Sequence, residues 1–73
     1  MIDNNLIQKK FGSRVRILRK KAGFSQESFA DKCGFHRTYM GCIERGEKNL
    51  TIVNIEKISL ALNISISDLF QSL

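Results

Sequence analysis

The residues able to carry covalent, acid–base or metal chemistry in this 73-residue chain are few and poorly spaced. The single histidine, His36, lies between the two cysteines, Cys33 and Cys42, and this spacing matches no zinc-binding motif. On a helix, the six residues from His36 to Cys42 correspond to about 600° of rotation, so the two side chains lie on opposed faces. Glu44 and Glu47 do not form an acid–base pair, and no phosphate-binding glycine loop is present. The inventory predicts a protein that is not an enzyme, with no metal, no cofactor and no small-molecule ligand.

Polar and small residues between positions 37 and 45 indicate a different chemistry. If these residues form a helix with Met40 and Ile43 on the side that faces the protein core, its outer side carries Arg37, Thr38, Gly41, Cys42 and Arg45. Arginine is the natural reader of guanine O6 and N7, and a threonine methyl can contact a thymine methyl. A glycine in mid-helix costs about 1 kcal/mol relative to alanine, which indicates that another molecule approaches closely there. The pattern predicts a helix that enters a DNA major groove; the alternative is an ordinary exposed helix in a small bundle.

The charge of the chain is concentrated at one end. The chain contains twelve Lys and Arg residues and seven Asp and Glu residues, which gives a net charge of +5 and a pI near 9.6. Residues 1–21 hold seven basic residues and one acid, Asp3, whereas residues 22–48 are neutral. This asymmetry predicts an anionic partner, nucleic acid first and an acidic membrane surface second, with Arg14 and Arg16 contacting the DNA backbone. The alternative is a solvated helix face.

The sequence also predicts the compartment. The segment from Ile2 to Ile7 is interrupted by Asp3, Asn4 and Asn5 and does not resemble a signal peptide. No apolar run approaches the roughly 20 residues that a membrane span needs. Two cysteines allow at most one bridge, and Cys33 is predicted to be a buried free thiol. We therefore expect a cytoplasmic protein without a membrane partner.

Glycines and small polar residues divide the first two thirds of the chain into three short helices. Apolar residues recur at helical spacing in the first helix, at Ile7, Phe11, Val15, Leu18 and Ala22. Gly23 is predicted to end this helix, and Ser25 to cap a second one, Gln26–Cys33, which Gly34 ends. A third helix is predicted from near His36, a capping or surface residue, to Arg45, with Gly46 ending it. Two short helices joined by a glycine-containing turn match the helix-turn-helix layout.

Two more helices are predicted in the last third of the chain. Thr51 caps the fourth helix, Asn63 ends it in the left-handed conformation, and Ser67 caps a final turn with Asp68 near its N-terminus. The residues predicted to share the core face of the fourth helix are Ile52, Ile55, Ile58, Ser59 and Leu62. Those of the final turn that pack back on the core are Ile66, Leu69 and Phe70.

A second apolar stripe lies outside the predicted core face of the fourth helix. Val53 and Leu60 are seven residues apart and share a face more than a quarter turn from the core stripe. A domain of this size buries only about 60% of its unfolded surface, so a spare apolar face indicates a subunit interface. Ile66 and Phe70 are predicted to extend it. The alternative is isolated exposed apolar residues, which are common on protein surfaces.

Several motifs resemble those of a known family over roughly residues 8–70. Residues 25–30 (SQESFA), 33–35 (CGF) and 43–46 (IERG) resemble the Cro/C1-type, or Xre-like, helix-turn-helix family. A narrower resemblance, to the controller proteins of restriction-modification systems, is carried by residues 36–40 (HRTYM), 43–51 (IERGEKNLT) and 54–58 (NIEKI).

The resemblance implies a role for individual residues. It assigns base readout to Arg37, Thr38 and Tyr39. It also implies a phosphate contact for Gln26 and places Lys48 where the controllers often carry a DNA-reaching arginine. Family members pair an arginine late in the first helix with the glutamate of the IERG motif, which here are Arg19 and Glu44. The chain departs from the family at Gly41 and Cys42, where a serine hydroxyl is missing.

These observations together predict a single domain, residues 1–73, with an all-α, compact five-helix, lambda-repressor-like fold and a helix-turn-helix at residues 25–45. The resemblance implies a transcriptional regulator that binds a double-stranded, pseudo-palindromic DNA operator as a homodimer, with RNA polymerase as an additional candidate partner. A restriction-modification controller is the favoured function. The alternatives are a phage or plasmid repressor and an antitoxin-type regulator on the same scaffold.

Overall fold

The structure is a computed structural model that describes residues 6–73, and this part of the chain folds into five α-helices without a β-strand. The helices are α1 (Leu6–Lys21), α2 (Gln26–Cys33), α3 (Arg37–Glu44), α4 (Ile52–Leu62) and α5 (Ile66–Leu69). The predicted five-helix, all-α architecture is confirmed. Asp3 and most of the segment compared with a signal peptide lie outside the described residues. Within residues 6–73, no helix is long and apolar enough to cross a membrane.

The helix-turn-helix is bounded by the predicted caps. The Ser25 hydroxyl accepts a hydrogen bond from the Ser28 backbone N–H at 3.0 Å at the start of α2. Gly34 ends α2 with φ 79°, a left-handed conformation that glycine adopts without steric cost. His36 caps α3, since its Nδ1 accepts from the Thr38 N–H at 3.2 Å, so the expectation of a capping histidine is confirmed.

The cap of α5 differs from the prediction. Thr51 and Asn63 bound α4 as expected, with Asn63 left-handed at φ 57°. The predicted cap Ser67 is wrong, because Ser65 caps α5 and its hydroxyl accepts from the Asp68 N–H at 3.0 Å. Ser65 has the extended backbone of a cap residue and lies three residues before Asp68, whereas Ser67 is an exposed residue inside the helix.

The core is formed by apolar residues from all five helices. Its buried members are Phe11, Val15, Phe29, Ala30, Cys33, Met40, Ile43, Ile58, Ala61 and Leu69. Cys33 is buried as predicted, and this burial raises the pKa of its thiol to about 11. Ile52, predicted on the core face of α4, is instead 77% exposed, because it is the first residue of the helix and no neighbouring helix covers it. Ile7 and Ala22, near the two ends of α1, are exposed for a similar reason.

A glycine sets how closely α1 approaches α3. Gly12 is buried, and a Cβ atom on it would lie 2.8 Å from the Glu44 carbonyl oxygen, closer than real Cβ atoms come. The backbone of α1 therefore rests directly on the C-terminal part of α3. Arg19, about two turns further along the same face of α1, reaches the side chain of Glu44.

Candidate nucleic-acid interface

The N-terminal half of α3 forms one wall of an open concavity. Arg37 and Thr38 are exposed in the first turn of α3. Together with Gly41, Arg45 and, from α2, Gln26, they line a concavity of about 250 Å³. The structure therefore brings together Gln26, Arg37 and Thr38, three of the residues that the sequence assigned to DNA contact.

Tyr39, the third residue assigned to base readout, has a different environment. It is half-buried, its ring packs edge-on against Phe35 at a centroid distance of 5.0 Å, and its hydroxyl oxygen accepts a hydrogen bond from Asn54 Nδ2 at 3.0 Å. The Tyr39 side chain thus links α3 to α4. Its hydroxyl hydrogen remains available as a donor, so a DNA contact by Tyr39 stays a prediction.

A buried ion pair holds α3 on the side that packs against α1. Arg19 Nε donates to Glu44 Oε2 at 2.7 Å, Arg19 Nη2 donates to Glu44 Oε1 at 3.0 Å, and Arg19 Nη1 donates to the Phe24 carbonyl at 2.9 Å. Gln26 Nε2 donates to the same carboxylate at 3.3 Å, so its amide lies between the ion pair and the concavity. Because these contacts come from α1, α2 and the turn between them, they hold α3 in one orientation.

A second ion pair lies on the surface at the end of α3. Arg45 Nε donates to Glu47 Oε2 at 2.8 Å, and Arg45 Nη2 donates to Glu47 Oε1 at 3.3 Å. The Arg45 guanidinium also lies 3.5 Å from the Cys42 sulfur. The hydrogen bond from Arg45 lowers the pKa of the Glu47 carboxyl below its usual value, so Glu47 is ionised at neutral pH. Sequence reasoning missed this pair, because it considered Glu47 only as a candidate acid.

The cations assigned to the DNA backbone do not share one surface. Arg14 Nη2 donates to the Asp68 carbonyl at 2.9 Å and Arg14 Nε to the Leu69 carbonyl at 3.4 Å, so this guanidinium is used at the end of α5. Arg16 is exposed, and two residues on a helix differ by about 200° in direction, which places it on the other side of α1. Lys48 is exposed in the loop after α3. Arg14 and Arg16 therefore leave α1 in different directions, and a DNA-backbone contact by either of them stays a prediction.

The second apolar stripe of α4 is on the surface. Val53 is 58% exposed and Leu60 is 69% exposed, and exposed Ile52 adjoins them at the N-terminal end of the helix. Ile66 is 40% exposed. Phe70 is predicted both to pack on the core and to extend the interface. It stacks on the core residue Phe11 with a centroid distance of 5.1 Å and is half-buried, so the core contact is confirmed and a part in the interface stays a prediction.

Metal chemistry finds no support at this surface. Residues 6–73 contain no group of three or more His, Cys, Asp or Glu side chains placed to hold a metal ion. The concavity is instead lined by hydrogen-bonding groups: two arginines and a threonine from α3 and its C-terminal end, and the amide of Gln26 from α2. Such a surface is suited to the edges of bases and to phosphates.

Comparison with known proteins gives consistent results. A model of the family HTH_3, described as helix-turn-helix, matches residues 15–69. The control protein C.MunI from Mycoplasma sp. is 46% identical over 70 residues, covering 94% of this chain and 95% of that protein. The crystal structure of the restriction-modification controller protein C.AhdI from Aeromonas hydrophila has a TM-score of 0.86 at 45% identity, covering 89% and 98%. The biofilm master regulator SinR, in complex with DNA, has a TM-score of 0.77 at 34% identity, covering 84% and 98%.

Proposed function

The chain belongs to the helix-turn-helix family HTH_3, and from this premise we propose that it is a restriction-modification controller protein that binds operator DNA as a homodimer. It is a DNA-binding transcriptional regulator and not an enzyme, in keeping with relatives that are control proteins and regulators. The controller assignment is supported by similarity over nearly the full length of both C.MunI and C.AhdI.

The observation that carries the proposal is the exposure of Arg37 and Thr38 on a helix that the rest of the domain immobilises. A major groove about 12 Å wide admits an α-helix, and the first residues of a recognition helix contact base edges. The buried Arg19–Glu44 pair fixes the orientation of α3 where it packs against α1 and α2. Arg37 and Thr38 are therefore presented to the groove in a fixed orientation, as base readout requires.

The dimer is proposed on two grounds. A single recognition helix reads only a few base pairs, whereas a two-fold dimer reads two half-sites about 34–36 Å apart, one helical turn of DNA. The apolar face of α4 that contains Val53 and Leu60 supplies a surface for a self-complementary contact. As a regulator of genes, such a dimer acts in the cytoplasm, and RNA polymerase is its second proposed partner.

The proposal is tested with Arg37→Ala, using a duplex that the wild-type protein selects from a randomised pool and a random duplex of equal length. Loss of a base-reading arginine costs about 1–3 kcal/mol, so affinity for the selected duplex should fall by about 5- to 150-fold. Affinity for the random duplex should change much less. Arg16→Ala is the matched control, because it removes the same charge from an exposed position on α1.

The two variants should differ in their effect on the ratio of selected to random affinity. Arg16→Ala leaves the ratio of selected to random affinity unchanged, and it lowers the salt slope by about one if Arg16 contacts a phosphate. An Arg37→Ala protein that keeps the wild-type ratio would refute the assignment of α3 as the reading helix. Wild-type protein that selects no sequence at all would refute the proposed function as a whole.

A further inference from the structure

The turn that follows α3 is built so that Glu47 returns to the side chain of Arg45. Gly46 is left-handed, with φ 77°, and donates its N–H to the Ile43 carbonyl at 3.0 Å. The Glu47 N–H donates to the Cys42 carbonyl at 2.9 Å, which completes the hydrogen-bond pattern of a Schellman turn. A fixed backbone turn therefore determines the position of Glu47 relative to α3.

This turn is also held by α1. A Cβ atom on Gly46 would lie 2.7 Å from the Cα atom of Lys9, so the two backbones are in direct contact. Gly46 is consequently required both by its left-handed conformation and by the space available. The backbone from which the Arg45 and Glu47 side chains extend is therefore fixed, so forming their ion pair orders only the two side chains.

The missing side chain at position 41 gives the Arg45 guanidinium its place on α3. A Cβ atom on Gly41 would lie 3.2 Å from Arg45 Nη1 and 3.5 Å from Gln26 Oε1. The Nε and Nη2 groups of Arg45 are engaged by Glu47, and Nη2 also contacts the Cys42 sulfur. The Nη1 edge of the guanidinium is therefore the part that faces the concavity shared with Gln26 and Arg37.

We propose that Glu47 is a positioning residue for DNA recognition, which holds the Arg45 guanidinium against α3 and balances its charge. The inference rests on the proposed function and extends it to the control of non-specific binding. A free arginine beside the reading residues would bind a phosphate of any sequence, and such contacts add affinity without discrimination. Paired with Glu47, Arg45 loses this general attraction and keeps a directed donor edge, so the pair favours discrimination over affinity.

The test compares three proteins: wild type, the single variant Glu47→Gln, and a double variant that carries both Glu47→Gln and Arg45→Gln. For each protein, affinity is measured over a series of salt concentrations, both for the duplex that the wild type selects and for a random duplex. In Glu47→Gln, Arg45 is released to bind a phosphate, so the salt slope on random DNA steepens by about one. A fourfold rise in salt then costs about 3.5-fold more affinity than in wild type. The ratio of selected to random affinity falls. The double variant returns to the wild-type slope, because the released charge is absent.

The control is Asp31→Asn, which removes one negative charge from an exposed position on α2. It should raise affinity for both duplexes slightly, without changing the slope by one or lowering the ratio. If Glu47→Gln behaves like Asp31→Asn, the positioning role is overturned while the proposed function stands. If wild-type protein shows no preference for a selected duplex, both proposals fail. Thermal unfolding of each variant checks that the fold is retained.

Discussion

Removing the arginine of the buried ion pair tests how much of the fold depends on it. Arg19→Met keeps a long apolar chain but deletes all three hydrogen bonds of the guanidinium, two to Glu44 and one to the Phe24 carbonyl. The Glu44 carboxylate is then buried with only the 3.3 Å contact from Gln26. Breaking a buried pair by removing one partner costs about 3–5 kcal/mol, because the remaining charge is uncompensated.

This loss is large for so small a domain. At about 0.05–0.15 kcal/mol per residue, a chain of this length is stable by about 4–11 kcal/mol. One kcal/mol shifts the Tm of a domain this size by about 4–8 °C, so Arg19→Met should lower the Tm by at least about 12 °C. Thermal unfolding followed by circular dichroism at one fixed protein concentration measures this, since the proposed dimer would make the Tm depend on concentration.

Two further variants show whether the loss of stability comes from the unpaired buried charge. Arg16→Met is the matched control: it makes the same change at an exposed position of α1 and should alter the stability by less than about 0.5 kcal/mol. Arg19→Met combined with Glu44→Leu should regain most of the lost stability, because no unpaired charge stays buried. Equal Tm values for Arg19→Met and Arg16→Met would refute the reasoning, since the pair would then contribute no more than a surface arginine.

Two other predictions address the surface of α4 and the contact between α1 and α3. The double variant Val53→Asp, Leu60→Asp should sediment as a folded monomer with operator affinity near the non-specific level, because like charges would face each other across a two-fold contact. A dimer that persists in analytical ultracentrifugation would move the interface elsewhere. Gly12→Ala should cost about 1–3 kcal/mol in thermal unfolding, since its Cβ would lie 2.8 Å from the Glu44 carbonyl oxygen. Ser13→Ala, at an exposed neighbouring position, is its control; equal stability of the two variants would contradict the close contact.

Local chemistry explains which parts of the fold were predictable from sequence. Gly34, His36 and Asn63 act within a few residues of their own backbone, so their capping roles follow from residue type and spacing. Ser65 and Ser67 both satisfy the local pattern of a cap. The choice between them depends on how the buried Leu69 meets the core, which lies in tertiary packing.

The remaining differences have the same origin in long-range structure. Helical periodicity placed Ile52 on the core face, but it cannot show that the neighbouring helices leave the first residue of α4 uncovered. Net charge predicted a DNA-backbone contact for Arg14, but it could not show that the guanidinium donates to the Asp68 carbonyl of α5. The Arg45–Glu47 pair depends on a left-handed turn at Gly46, which brings together side chains that a helical wheel keeps apart.

The glycine contact between α1 and α3 also bears on the kinetics of association. All seven basic residues of positions 1–21 lie on α1, and Gly12 allows α1 to pack directly against the backbone of α3. The positive charges of α1 and the exposed side of α3 therefore turn together as one rigid body. A polyanion attracted by these charges therefore meets α3 in an orientation that the packing of α1 determines, and this attraction weakens as the salt concentration rises.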